Sequence, residues 1–150
     1  MLRITRLLIP MVLLAIVACS AQQHEGDVAP AQPQQVAPPS ELALLMRHMA
    51  AHADSVKAAL KRGDKDLPAF PAEIKTLLTA PPTDGMHIDP ITFPTFGKDY
   101  QEKVNTLYKA AKADRTMAYN ALVQSCANCH SSHCPGPLMR IKKMYAPVGQ

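Results

Sequence analysis

The chain has 150 residues, of which 47% are hydrophobic and 19% charged, and its formal net charge is +4. This length allows one ordinary domain, and the composition excludes collagen-like and strongly disordered proteins. Without Arg3 and Arg6, which stand at the start of the chain, 14 basic residues remain against 12 acidic ones. The remaining charge of +2 argues against a nucleic-acid-binding protein.

Residues 1–18 are predicted to be a signal peptide. Arg3 and Arg6 precede an apolar run of about eleven residues, Leu7 to Val17, with no acidic residue before it. The run matches the hydrophobic region of a secretory signal and is shorter than the about 20 residues that cross a membrane. We therefore expect it to be removed during export.

The apolar run ends in Ile16-Val17-Ala18-Cys19, which resembles the bacterial lipobox, where the cysteine is acylated and the chain is cleaved before it. We expect a lipoprotein that is anchored to a membrane through Cys19 on its periplasmic side. Ser20, directly after the cysteine, slightly favours the outer membrane. The alternative is an ordinary signal peptide with a chance cysteine at its end.

Residues 19–39 are rich in Pro, Gln and Ala and carry almost no large apolar side chain, so they are predicted to be a disordered tether. Residues 40–146 are predicted to form the folded domain, and residues 147–150 a C-terminal tail. No stretch of the domain alternates convincingly with the period of two that a half-buried strand requires. The predicted fold class is therefore all-α, a four-helix up-down bundle.

The first predicted helix has the clearest boundaries, with Ser40 as its cap and Gly63 at its end. Its apolar residues recur every three or four positions and form one stripe. A short second helix is predicted to start at Pro71 and to stop before Pro81.

The third predicted helix runs from residue 95 or 96 to residue 113, and the fourth from the cap Asp114 to the residues before Pro135. Their predicted inward residues are Phe96, Tyr100, Val104, Leu107 and Ala111 in the third helix and Met117, Leu122 and Cys126 in the fourth.

The strongest motif is Cys126-Ala127-Asn128-Cys129-His130, the Cys-x-x-Cys-His pattern of c-type haem attachment. Residues three apart lie on one side of a helix, so both thiols can add to the vinyl groups of one haem while Nε2 of His130 reaches the iron. Export supports this interpretation, because bacteria attach haem covalently outside the cytoplasm. We predict one haem c bound through Cys126 and Cys129, with His130 as an iron ligand.

Three other uses of these cysteines remain open. A zinc site would have to add His133 and Cys134, which is cramped for a closed tetrahedral centre. A dithiol redox motif normally begins a helix after a strand, and no strand is predicted. A disulfide between cysteines three apart on a helix is geometrically awkward.

The arrangement resembles the class II cytochromes c, which comprise cytochrome c′ and its low-spin relatives. In that family the haem is attached near the C-terminus of the last helix of a four-helix bundle. The resemblance covers residues 40–133, and outside residues 126–130 it rests on pattern and spacing. The first-helix segment 45–52, Leu-Met-Arg-His-Met-Ala-Ala-His, is similar to the family stretch that lines the distal side of the haem.

The resemblance implies that Met46 is the second iron ligand, as in the low-spin relatives, or else lies over an open iron, as the apolar residue of cytochromes c′ does. Ordinary core packing is the alternative for a methionine on a helical stripe. The other candidate distal ligands are Met49, His52, Met86 and His87.

The sequence departs from the family at Cys134, where a basic residue usually follows the haem histidine by four positions, and it continues beyond Pro135. Cys134 is predicted to be a buried, inert residue; the alternatives are a free thiol and a site of intermolecular pairing. A basic cluster in the continuation, Arg140, Lys142 and Lys143, is predicted to be a solvated tail or a surface that steers an acidic redox partner.

The expected function is a lipid-anchored electron carrier without enzymatic activity, which exchanges single electrons with periplasmic redox proteins. The resemblance allows a homodimer. The leading alternative is a five-coordinate protein, similar to cytochrome c′, that binds NO or CO. Two further alternatives are weak peroxidase-like activity with His52 as acid–base group and a non-haem lipoprotein that uses zinc or thiol chemistry.

Overall fold

A computed structural model describes residues 38–148 of the chain, and this part is helical. Its α-helices are α1 (Glu41–Arg62), α2 (Thr92–Lys109), α3 (Arg115–His133) and α4 (Leu138–Lys142), with short 3-10 helices at Ala72–Thr76 and Lys112–Asp114. Within residues 38–148 there is no strand, which confirms the all-α prediction.

The predicted signal peptide, the lipidation site Cys19 and the tether up to residue 37 lie outside the described residues. Among the helices that the structure describes, none combines the length and the apolar character that crossing a membrane requires.

Helix α1 begins and ends where its sequence signals predict. The Ser40 hydroxyl accepts a hydrogen bond from the backbone N–H of Ala43 at 3.1 Å, as an N-cap does. Gly63 adopts the left-handed conformation with φ of 73°, and its N–H bonds to the carbonyls of Ala59 and Leu60. Glycine takes this conformation without a steric penalty, so the helix stops there.

Helix α2 begins at Thr92, three residues before the earlier of the two predicted starts, and it ends at Lys109 rather than at residue 113. The Asp89 carboxylate accepts hydrogen bonds from the N–H groups of Ile91 (3.0 Å) and Thr92 (2.7 Å). These bonds satisfy donors that would otherwise be free at the helix start. Pro94 falls in the first turn, where a missing N–H costs nothing.

The predicted second helix is instead a 3-10 helix over Ala72–Thr76. Its hydrogen bonds join residues three apart, from the N–H of Ile74 to the carbonyl of Pro71 and from the N–H of Leu77 to the carbonyl of Ile74. It is anchored by Ile74 and Leu77, which are fully or almost fully buried. Gly97 of α2 allows this segment to approach closely, since a Cβ at that position would collide with the Leu78 side chain.

The core lies between α1, α2, α3 and the 3-10 helix. Its most deeply buried side chains are Tyr119, Ile74, Leu107, Leu122, Val56 and Val123. Two predicted inward residues are exposed: Met117, at 65% exposure, and Ala111. Apolar residues are spread around α3, so its sequence does not indicate which face is buried.

After α3 the chain turns at Pro135 and packs back as residues 135–146, here called the C-terminal segment, which includes α4. The Tyr119 hydroxyl donates to the carbonyl of Met144 at 2.9 Å, and the Asn120 side chain exchanges two hydrogen bonds with the backbone of Ala146. The helix that carries Cys126–His130 was predicted to be the last helix of the domain. In the structure a further short helix, α4, follows it.

Candidate functional site

A cleft of about 410 Å³ lies between α1, α3 and the C-terminal segment. Met46 and Met49 line it from α1, Cys126 and His130 from α3. Its volume falls in the range of small-molecule and cofactor sites, about 300–1,000 Å³. We call it the main cleft.

Two smaller cavities adjoin the same residues. One, of about 40 Å³, is lined by residues that include Phe96, Tyr100 and Cys129, and the other, of about 70 Å³, by residues that include Met86 and His87. Met46 and His130 line both of these cavities and the main cleft. The structure thus brings the four predicted cofactor residues together, with Cys126, Cys129 and His130 on α3 and Met46 on α1.

The His130 side chain is held in one orientation by the end of its own helix. Its Nδ1 lies 2.9 Å from the carbonyl oxygen of Cys134. Because a carbonyl only accepts hydrogen bonds, Nδ1 carries the proton and Nε2 keeps a free lone pair. Histidines that bind metals are usually fixed in this way, with the second ring nitrogen bonded to a carbonyl or carboxylate.

The cysteines Cys126, Cys129 and Cys134 are free thiols, each half-buried. Burial raises the pKa of Cys126 to about 12, and the neighbouring Cys129 adds to the increase. Burial likewise raises the pKa of Cys129, with a smaller contribution from Cys134. Dithiol redox proteins depend on a lowered thiol pKa, so this environment does not favour that alternative.

The zinc alternative also lacks support in this geometry. Within residues 38–148, no three His, Cys, Asp or Glu side chains come together in an arrangement that could hold a metal ion. His133 instead lies against α2, where its Nε2 is 3.1 Å from the Thr92 hydroxyl and its ring contacts Phe93 and Phe96 edge-on.

Among the predicted distal ligands, His52 lines neither the main cleft nor the two smaller cavities. Its Nε2 lies 2.7 Å from the Tyr108 hydroxyl, and its ring packs edge-on against Phe70. Burial lowers the pKa of His52, which favours the neutral form. Met46, Met49 and Met86 line the main cleft, and His87 lines the cavity of about 70 Å³.

Several lining residues were not predicted from the sequence. Tyr100, only 5% exposed, contributes to the main cleft from α2, and Ile141 and Met144 contribute from the C-terminal segment. Arg47 and Arg140 also line the cleft, and Arg140 forms an ion pair of 2.6 Å with Asp54 of α1. The Arg140 side chain is therefore directed to α1 and the cleft.

No protein-family model, no curated protein and no solved structure matches this chain. Its function therefore has to be inferred from the site itself.

Proposed function

We propose that this protein is a lipid-anchored monohaem c-type cytochrome of class II type, and that it carries single electrons. Cys126 and Cys129 bind the haem covalently, and His130 and Met46 are the iron ligands. The observation that carries the proposal is that Met46 from α1 and Cys126, Cys129 and His130 from α3 line the cavity of about 40 Å³ together. Met46, Cys126 and His130 also line the adjoining main cleft.

The residues present fit a haem. The main cleft is mostly apolar and of cofactor size, as the macrocycle requires, and Cys126 and Cys129 are free thiols one helical turn apart on α3. His130 has Nε2 free to bind a metal, because Nδ1 is bonded to the Cys134 carbonyl. A thin core with no Trp and only three Phe also gains from a large apolar group in this place.

When bound, the haem supplies an iron that cycles between the ferrous and ferric states. The chain controls that cycle through the groups around it. The Cys134 carbonyl keeps the His130 ring in place, and the soft thioether of Met46 favours the ferrous state. The apolar walls, with Met49 and Met144 almost fully buried, limit the access of water.

In this proposal the helical domain is a four-helix bundle in which residues 72–76 replace the second long helix. The domain is attached through Cys19 to the periplasmic side of a bacterial membrane, and its partners are periplasmic redox proteins. A homodimer is compatible with it. We propose no enzymatic activity, because His52, the group that a peroxidase-like reaction would use, is bonded to Tyr108.

Haem attachment tests the proposal. We expect the protein, expressed in a bacterium with the haem c attachment machinery, to give a c-type pyridine haemochrome spectrum and to retain its haem in acidified acetone. Cys129→Ala and His130→Ala should not incorporate the haem as the wild type does. The double variant Cys126→Ala/Cys129→Ala, which has no thiol left in the motif, should carry no covalently bound haem. Cys134→Ala is the matched control and should keep the haem, because the backbone carbonyl that holds His130 remains.

Two results would contradict the proposal. One is a wild-type protein that carries no haem when it is made beside a known c-type cytochrome that does. The other is a His130→Ala variant with the haem content and spectrum of the wild type.

A further inference from the structure

We infer that Arg47 and Arg140 bind the two carboxylates of the cofactor in the main cleft. This inference rests on the proposed function and adds the residues that orient the haem. A haem has an apolar macrocycle and two carboxylates, so a site that accepts it needs apolar walls and cationic groups at its rim.

The lining of the main cleft matches this combination. Among the described residues that line it, Arg47 and Arg140 are the only Lys, Arg, Asp or Glu side chains. Most of the other lining residues are apolar, Met46, Met49, Leu122, Val123 and Ile141 among them. A mostly apolar site with a few polar groups fixes the orientation of its ligand through those groups.

Arg47 and Asp54, the ion-pair partner of Arg140, lie on one face of α1. Arg47 and Asp54 are seven residues apart, which places them on the same side of the helix and about 10 Å apart along its axis. Arg140 is bound to Asp54 at 2.6 Å, so it lies near the second of these positions. Two separated cations on one side of a cleft suit a ligand with two separate carboxylates.

Both arginines have donors to spare. Arg47 forms no ion pair or side-chain hydrogen bond with any residue between 38 and 148. Arg140 uses Nη2 to contact Asp54, which leaves Nε and Nη1 without a partner in the same part of the chain. A guanidinium has five N–H donors, so Arg140 can bind Asp54 and a second carboxylate together.

Asp54 is a positioning residue in this arrangement. Its carboxylate offsets the charge of Arg140 and joins the C-terminal segment to α1, while Arg47 has no ion-pair partner among residues 38–148. The three groups together are cationic, as a site for carboxylates requires. Arginine is also suited to planar, bidentate recognition of a carboxylate.

Chemical labelling of the haem carboxylates in the native holoprotein tests the inference. A water-soluble carbodiimide with excess amine converts an accessible carboxylate to an amide. After labelling, trypsin releases residues 116–140, or residues 116–142 in Arg140→Gln. Either peptide includes Cys126 and Cys129 and contains no Asp or Glu. Any amide on that peptide, detected by mass spectrometry, therefore lies on its haem.

We expect slow labelling in the native wild type and fast labelling after denaturation. Arg47→Gln and Arg140→Gln should each label about two- to fivefold faster than the wild type, the ratio expected for losing one ion pair between exposed groups. The matched control is Arg62→Gln, which removes an arginine that is paired with Asp64 at the other end of α1. It should label at the wild-type rate.

The inference is wrong if Arg47→Gln and Arg140→Gln both label at the wild-type rate, or if only one of these two variants labels faster. It is also wrong if Arg62→Gln labels as fast as they do. If a glutamine variant does not accumulate, Arg47→Lys and Arg140→Lys replace it. These variants keep the charge but lose the guanidinium, so they should label faster than the wild type and more slowly than expected for the glutamine variants. Wild-type labelling rates in both lysine variants would overturn the inference. A wild-type peptide without haem would instead reject the proposed function.

Discussion

His52 is the buried histidine on α1, and its hydrogen bonds define its protonation. Tyr108 has one hydroxyl proton, which it donates to the carbonyl of Pro68 at 2.6 Å. The imidazole must therefore donate its Nε2–H to the Tyr108 oxygen. This leaves Nδ1 as a buried acceptor without a partner among the described residues. His52 is thus a neutral core residue in the folded protein.

This arrangement predicts a pH dependence of stability. Burial lowers the pKa of His52 below 6.5, and the nearby Glu73 offsets part of the effect. As the pH falls below about 6.5, the unfolded chain takes up a proton that the folded chain does not. The free energy of unfolding should therefore decrease between that pH and the lower pKa of the folded state, as urea titrations at a series of pH values would measure.

His52→Gln should remove this part of the pH dependence, whereas His48→Gln, at an exposed position of the same helix, should keep it. The prediction is wrong if the pH profile of His52→Gln equals that of the wild type.

The motif residues could be predicted because Cys126, Cys129 and His130 lie within five residues of one helix. Arg47 and Met144 could not be predicted as lining residues, since the main cleft forms only when the C-terminal segment packs against α1 and α3. The bond between His130 and the Cys134 carbonyl has the same origin, because it depends on how the chain leaves α3.

The C-terminal segment forms one wall of the main cleft, and its position does not follow from the sequence. Tyr119 and Asn120 of α3 hold it through side-chain hydrogen bonds to its backbone. From α1, Lys57 donates to the carbonyl of Lys143 at 2.8 Å. Because such contacts join residues that are distant in sequence, local sequence patterns do not predict them.

Tyr119→Phe should destabilise the protein by about 1–2 kcal/mol, because the carbonyl of Met144 loses its donor in a buried place. Tyr145→Phe is the matched control. It removes a hydroxyl that bonds to the exposed side chain of Gln124, and should change stability by less than about 0.5 kcal/mol. Chemical denaturation of the holoproteins measures both, and equal effects would contradict the expected anchoring role of Tyr119.

Helix boundaries that depend on local signals agree with the structure, as Ser40 and Gly63 of α1 illustrate. The observed start of α2 lies before the predicted one because the Asp89 carboxylate, outside the predicted helix, accepts hydrogen bonds from the first N–H groups. The exposure of Met117 does not follow from the sequence, since α3 carries apolar residues around its circumference and packing against neighbouring elements decides which are buried.

For the whole molecule, the proposal makes the domain an electron carrier at the end of a membrane tether. Arg140 is turned toward Asp54, so the basic cluster predicted to steer an acidic partner is reduced to Lys142 and Lys143. With a charge of +2 after the signal peptide is removed and two haem carboxylates to offset it, little long-range steering of partners is expected.

In the proposed function, an iron held between His130 and Met46 transfers electrons without binding a substrate. Optical spectra of the ferric and ferrous soluble domain, with and without CO, test this ligation in the wild type, in Met46→Ala and in the control Met49→Ala. We predict that the wild type and Met49→Ala are low-spin and do not bind CO. Met46→Ala should be high-spin and should bind CO. A wild type that is already high-spin and binds CO would contradict the claim and favour gas binding at an open iron.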